Sequence, residues 1–408
     1  MDSRVMTLQE VEGGVTAARG FQACGVHCGV KKAKKDLALL VSDRPAATAA
    51  VFTVNSVPAA PVVVDRSLMQ RSFYKRALVV NSGNANACTG ERGMQDAWTM
   101  VTTTAEALAV DPADVLISST GVIGQFLPIA RIAQGIRSAA QVLGRDGNAD
   151  AAEAIRTTDT FPKQYAVSFE IDGTPVTVGG MAKGSGMIAP NMATMLAFLT
   201  TDAAVAPALL QAALVRANER SFHRISVDGD TSTNDMVAVF ANGASGARAL
   251  ASADDPGYGE FAEALEKVCG ELARMIVRDG EGATKFLEIT VSGAASEEEA
   301  ARGARAIANS NLVKTAMHGE DANWGRILAA LGNAGIRFDP ARVEIRLGQL
   351  PILQRDFVID FSEEEAAAIL AKPEIVITAD LGEGSGEATF WTCDLSARYV
   401  EINANYRT

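Results

Sequence analysis

Short apolar runs rich in valine and isoleucine recur along the chain, most of them bounded by Gly, Pro, Asn or Asp. Runs of that kind predict strands. They fall at 36–42, 47–54, 77–80, 115–117, 165–171, 175–178, 236–240, 286–291, 343–345 and 374–379, and the apolar run from Thr194 to Leu199 predicts one more, buried. Between them the apolar spacing turns helical, predicting helices over 96–109, 127–143, 206–220, 259–277, 297–308, 323–332 and 363–371. The last starts well, with Ser362 at the N-cap and Glu365 three residues on. Because strands and helices interleave throughout, the expected fold class is α/β, a layered mixed-sheet sandwich with helices. The glycine-rich stretch LGEGSGEATF at 381–390 is expected to be a hairpin loop. The apolar–polar alternation over 400–403 predicts a last strand that anchors the tail.

Composition narrows the function classes. Hydrophobic residues make up 48% and aromatics only 6%, so the core is expected to be built from Ala, Val, Leu and Ile. A net charge of −12 argues against a nucleic-acid partner, because phosphate binding needs a basic face. No apolar run is long enough to span a bilayer, so no membrane partner is expected. The first twenty residues lack an apolar centre and do not read as a signal peptide. Five scattered cysteines in such a chain predict reduced thiols and a cytoplasmic setting. No repeat, low-complexity tract or proline-rich linker marks a domain boundary. Any division near the middle of the 408 residues must be chemical rather than compositional.

Several familiar solutions fail. The cluster Cys24-Gly-Val-His27-Cys28 has metal-ligand residue types, but zinc needs about four ligands and no second Cys/His cluster exists, so no metal is expected. There is no G-x-S-x-G, H-E-x-x-H or Walker A sequence. A Ser-His-Asp triad would have to recruit His27, His223 or His318, none in a suggestive setting. What remains is a nucleophile that carries its own base.

One stretch can supply it: Met181-Ala-Lys183-Gly-Ser-Gly-Met-Ile-Ala-Pro190-Asn-Met-Ala193-Thr194-Met-Leu196. Two glycines and a proline make a loop, and Thr194 opens the apolar run. A threonine there can attack the carbonyl before it and, after ester hydrolysis, become a new N-terminus. Its α-amine, with a reference pKa of about 7.7–8.0, can then take the hydroxyl proton near neutral pH. The plainer reading is a loop running into a strand whose first threonine is merely β-prone. The residues alone leave both readings open.

This segment resembles the signature of the glutamate N-acetyltransferase/ornithine acetyltransferase family of arginine biosynthesis, cut between the Ala and Thr of A-T-M-L. Further blocks resemble the family in order: Phe52–Asn55 with Ala59–Val62, Val80–Ala87, Ser119–Gly124, Thr157–Lys163, Ser226–Asp230 with Thr233–Asp235, Arg278–Lys285 and His318–Arg326. The tail Asn403-Ala-Asn405-Tyr-Arg-Thr408 also matches, with Asn405 where the family usually has Asp. The resemblance implies a self-cleaving, N-terminal-nucleophile-like architecture. It implies an alpha chain of 1–193 and a beta chain of 194–408 sharing one active site, with cleavage between Ala193 and Thr194. Thr194 is the implied nucleophile, and Thr120 with Gly121 the oxyanion pair. Thr160, Lys183, Thr194, Glu281, Asn403 and Thr408 are the implied substrate contacts.

A cationic Lys183 suits an α-carboxylate, and Glu281 could pair with an amino group of ornithine. Asp230, Asn234 and Asp235 read as structural turn residues, and His318 as a structural histidine. The implied reaction moves acetyl from N-acetylornithine to glutamate through an acetyl-threonine, with no cofactor. Some family members also take acetyl-CoA as a donor co-substrate. The implied assembly holds two alpha and two beta chains. Two other readings remain at this point, a self-processing hydrolase or aminopeptidase and a non-catalytic metabolite-binding protein.

Overall fold

A computed structural model describes residues 8–188 and 195–405. Ala193, Thr194 and Thr408 therefore lie outside the described residues. The strands are β1 (Gln9–Glu10), β2 (Phe21–Val26), β3 (Leu37–Phe52), β4 (Tyr74–Asn84), β5 (Val115–Val122), β6 (Lys163–Ile171), β7 (Thr174–Lys183), β8 (Leu196–Thr201), β9 (Ile225–Ser226), β10 (Met236–Ala241), β11 (Phe286–Ala294), β12 (Glu344–Leu347), β13 (Leu350–Leu353), β14 (Glu374–Asp380) and β15 (Gly386–Cys393). Helices are α1 (Ala60–Arg71), α2 (Gly90–Leu108), α3 (Ile129–Gln141), α4 (Asn148–Ala154), α5 (Pro207–Glu219), α6 (Tyr258–Arg278), α7 (Glu297–Ala308), α8 (Asn311–His318), α9 (Trp324–Gly332), α10 (Glu363–Leu370) and α11 (Ala397–Asn405).

The architecture is α/β with two mixed sheets. The larger has nine strands in the order β1-β6-β7-β8-β10-β3-β4-β5, with β2 added beside β3. Within it β8 runs parallel to β10 and β4 parallel to β5, and the other pairs are antiparallel. Two strands that follow residue 194, β8 and β10, thus lie between β7 and β3, which precede it. The smaller sheet runs β13-β12-β14-β11-β15-β9.

Leu37–Leu40 and Ala77–Val80 are buried in unbroken runs, because apolar groups cover both faces of the sheet there. The amphipathic α6 buries Phe261, Leu265, Val268, Leu272 and Ile276 at helical spacing. It joins the sheets in one core, packing against β6 and β7 of the larger sheet and against β15 and β9 of the smaller. Among the described residues no helix is long and apolar enough to cross a membrane.

Most predicted elements form, and the departures have local causes. The runs at 36–42 and 47–54 make one strand, β3, whose polar break coincides with a register shift between Val41 and Ala46. The glycine-rich stretch at 381–390 is no hairpin loop: β14 and β15 each pair with β11 rather than with each other, so the connection steps across a strand. The tail is not a last strand but the helix α11. Four alternating residues are too few to separate the two periods, and Tyr399 and Asn403, four apart, share the helix side that faces the site. Helix α1 was hidden by its valines, which read as β-prone, although Pro61 sits in its first turn as helix starts prefer.

Candidate functional site

A cleft opens where β5 and β7 end and β10 begins. Thr120 and Gly121 at the end of β5, Lys183 at the end of β7, Asn234 just before β10, Glu281 after α6 and Asn403 on α11 all line it. Residues far apart in sequence are brought together by the order of the strands and by the placing of α6 and α11 beside them. In the antiparallel pairing of β7 with β8, Lys183 stands opposite Leu196, so the lysine lies beside the start of β8.

Lys183 is buried, and its ammonium makes no hydrogen bond or ion pair with the described residues. Burial pushes its pKa below the ordinary lysine value, against the pull of Asp159, Asp235 and Glu281. A buried ammonium that lines a small cleft without a hydrogen bond to the described residues is suited to an anionic ligand group. At the other wall Thr120 lines the same space, and its hydroxyl is likewise without a protein partner among the described residues. Gly121 has φ 131° and sits against Gly83, whose φ is 99°. A Cβ on Gly121 would lie 2.3 Å from the Gly83 carbonyl carbon, so glycine here is what lets β4 and β5 close up beneath the site.

The Asn81–Ala87 block, for which sequence reasoning offered no mechanism, forms the support under Thr120 and Gly121. Asn81 Oδ1 accepts from the Ser119 hydroxyl at 2.6 Å, and Asn81 Nδ2 donates to the Asn84 carbonyl at 2.9 Å. Asn84 Nδ2 donates to the carbonyls of Gln125 and Phe126, both at 3.2 Å. Asn86 Nδ2 donates to the Gly93 carbonyl at 2.9 Å. Each buried amide group donates to backbone carbonyls, which holds the chain around the site in one arrangement. Asparagines repeating at the end of an apolar strand were the available signal, since buried amides must find partners.

Beneath Lys183 lies a buried charge cluster. Lys163 Nζ donates to Asp159 at 2.7 Å and to Asp279 at 2.5 Å. Asp159 also accepts from the backbone N–H of Gly184 at 2.7 Å and of Thr157 at 2.9 Å. Burial alone would raise the Asp159 pKa, but Lys183 and Lys163 outweigh it and hold this carboxylate below the usual range. Thr160 is turned away from the cleft: its N–H and hydroxyl both donate to Asp279, and its neighbours Thr157 and Thr158 line the cleft instead.

The fourth side is α11. Asn403 Nδ2 donates to Glu281 at 2.8 Å, and the Tyr399 hydroxyl donates to Asp228 at 3.1 Å. Asp228 accepts from the N–H groups of Met187 at 2.6 Å and Ile188 at 2.8 Å. The Ile188 carbonyl accepts from Val227 N–H at 2.7 Å, so the loop toward residue 194 is pinned up to that point. Asp230 and Asn234, expected only as turn residues, are lining residues as well. Asp235 is buried beside Met195 N–H and Lys183, and burial pushes its pKa well above the carboxylate range. His318 pairs with Asp394 at 2.7 Å, ahead of α11 and outside the cleft lining. Among the described residues no group of His, Cys, Asp and Glu could hold a metal ion.

Comparison with known proteins gives consistent relatives. The model of the ArgJ family matches residues 22–408. The arginine biosynthesis bifunctional protein ArgJ of Symbiobacterium thermophilum is 54% identical over 407 residues, covering 98% of this chain and 100% of the relative. The protein of the same description from Chlorobaculum tepidum is 51% identical over 390 residues, 95% and 96% of the two chains. Among solved structures, an ornithine acetyltransferase complexed with ornithine from Mycobacterium tuberculosis is 38% identical, covers 45% of this chain and 99% of that one, and has a TM-score of 0.42.

Proposed function

The chain belongs to the ArgJ family, and on that premise we propose that it is an arginine-biosynthesis acyltransferase that moves acetyl from N-acetylornithine to glutamate through an ester on Thr194. The single observation that carries this reading is the meeting of Thr120, Gly121, Lys183, Glu281 and Asn403 around one cleft at the start of β8. They match the positions the family resemblance implies for acetyl transfer, and they come from segments far apart in sequence.

In this reading the backbone is cut between Ala193 and Thr194, giving chains of 1–193 and 194–408 in a cytoplasmic assembly with two copies of each. N-acetylornithine binds with its α-carboxylate toward Lys183 and its side-chain ammonium toward Glu281 and Asn403. The α-amine of Thr194 takes the proton from its own hydroxyl, and Oγ attacks the acetyl carbonyl. The tetrahedral oxyanion accepts hydrogen bonds from the Thr120 hydroxyl and Gly121 N–H, donors fixed before the charge develops. As the C–N bond breaks, the proton held by the α-amine passes to the leaving nitrogen, and ornithine departs. The amine of glutamate then attacks the ester and gives its proton to the α-amine of Thr194; the ester C–O bond breaks, that proton returns to Thr194 Oγ, and N-acetylglutamate departs. Amide is exchanged for amide by way of an ester, so no metal or nucleoside triphosphate enters the balance.

The test is a donor–acceptor assay joined to mass spectrometry. Incubated with N-acetylornithine alone, the 194–408 fragment should gain one acetyl group on its first residue, and glutamate should remove it. Acetyl-CoA as donor and water as acceptor belong in the same matrix, because faster discharge to water than to glutamate would make the protein a hydrolase. A Thr194→Ala protein should run as one uncut, inactive chain. A wild-type preparation that is active and uncut would sink the proposal.

A further inference from the structure

Asn234 is the residue that spans the cleft. It lies immediately before Asp235 and Met236, and Met236 stands in parallel register with Leu196 at the start of β8. Its side chain reaches the other way, toward the ends of β4 and β5. Nδ2 donates to the Ala85 carbonyl at 2.6 Å and to the Ser119 carbonyl at 2.8 Å. Carbonyls only accept, so these two contacts fix which end of the amide is the donor, and Oδ1 accepts from the Thr233 hydroxyl at 2.5 Å. The residue is 6% exposed, so both carbonyls depend on it rather than on bulk water. Ser119 is next in sequence to Thr120, and its own hydroxyl is held by Asn81.

We infer that Asn234 is a positioning residue that sets the distance between the Thr120–Gly121 donors and the start of β8, the strand that follows Thr194 in the chain. The inference rests on the reading of that pair as the oxyanion site. The large sheet does not do this by hydrogen bonding alone: β5 is reached from β10 only across β3 and β4, so small errors in strand spacing accumulate across the sheet. The Asn234 amide bridges that gap directly at the site. Oxyanion donors act only if they sit within hydrogen-bond reach of the developing charge, and misplacement by about 1 Å can cost about a hundredfold in rate.

The experiment uses Asn234→Ala, the milder Thr233→Val, and Thr120→Val as the reference for the oxyanion site itself. For each cut enzyme, mass spectrometry after N-acetylornithine counts the sites that can be acetylated. Rapid-quench measurements then give the rates of acetylation and of discharge to glutamate per competent site. Because both half-reactions use one oxyanion site, Asn234→Ala should slow both by a common factor of roughly ten to a hundred. The KM for N-acetylornithine should stay within about twofold. Thr233→Val should show the same pattern, smaller, and it decides the matter alone if Asn234→Ala yields no folded protein. The double variant Asn234→Ala/Thr120→Val should lose less than the product of the single losses. Rates per competent site at the wild-type level, with only fewer competent sites or a raised KM, would overturn the inference and leave Asn234 a structural residue. If Thr120→Val itself keeps wild-type rates, the underlying oxyanion reading has failed instead.

Discussion

Lys163→Met isolates the buried charge cluster under the site. Methionine keeps most of the stem volume, so the change removes the ammonium rather than the packing. Lys163 is fully buried, and its two partners, Asp159 and Asp279, have side chains that are almost fully buried. Without it, two buried carboxylates keep only backbone and hydroxyl donors and the neighbouring Lys183. Removing one partner of a buried ion pair typically costs about 3–5 kcal/mol. With about 2.1 cal/mol/K of unfolding entropy per residue, a chain of 408 residues loses about 3.5–6 °C of Tm for that cost. The measurement is differential scanning calorimetry in a Thr194→Ala background, so that one uncut chain is melted.

A pH series adds a second readout for the same variant. The Asp159 pKa is depressed, so its contribution is present above the unfolded value of about 3.9 and is lost as the pH falls through the lower folded value. Lys163→Met should shrink that acid-dependent part. Adding Asp279→Asn should recover part of the lost Tm by removing one of the stranded charges. A Lys163→Met protein that melts within about 1 °C of its parent, with the same acid dependence, refutes the reading that Lys163 compensates the two buried carboxylates.

Two further outcomes are expected. Gly121→Ala would place a methyl 2.3 Å from the Gly83 carbonyl carbon and 2.5 Å from Asn84 N at a φ of 131°, where only backbone movement can relieve it. Overpacking of this kind costs about 1–3 kcal/mol, and acetyl-enzyme formation should fall at least about tenfold; wild-type kcat/KM would show that the β4–β5 approach is unimportant. Burial, with Arg305 and Arg224, pulls the His223 pKa down to about 4. Between pH 6.5 and 4 the unfolded chain therefore binds a proton that the folded one refuses. Stability should decline on acidification by up to about 1.4 kcal/mol per pH unit. Urea titrations of wild type and His223→Gln, which keeps an acceptor for the Asn218 amide bonded to the ring at 2.9 Å, should differ in slope only in that window.

The layered α/β fold was legible because the valine-rich runs and the amphipathic α6 and α7 keep their periods over enough residues to be distinct. The tail was misread because Val400–Asn403 is shorter than either period needs, and its docking through Tyr399 and Asp228 is a contact across the fold. Of the residues singled out on family resemblance, Thr120, Gly121, Lys183, Glu281 and Asn403 do converge. Thr160 faces Asp279 instead, and the described residues do not reach Ala193, Thr194 or Thr408. Asn234 was passed over because Thr-Asn-Asp reads as a turn. Its importance lies in the carbonyls of Ala85 and Ser119, more than a hundred residues away, and no local pattern encodes them.

The order of strands in the large sheet has a consequence for the lifetime of the enzyme. Since β8 and β10 lie between β7 and β3, a cut before Thr194 would leave the β8–β10 pair clasped on both sides by strands of the preceding fragment. Neither fragment can diffuse away without tearing apart the middle of the sheet, so severing the covalent link costs the native state little cohesion. The return journey is different. The intact chain threads these strands as one molecule, whereas separated fragments must find each other in solution, a step whose rate falls with dilution. If the chain is cut as proposed, maturation is a ratchet: folding precedes cutting, and unfolding after the cut is not readily undone. The persistence of the mature enzyme becomes a matter of how slowly that central strand pairing opens, a kinetic property rather than an equilibrium one.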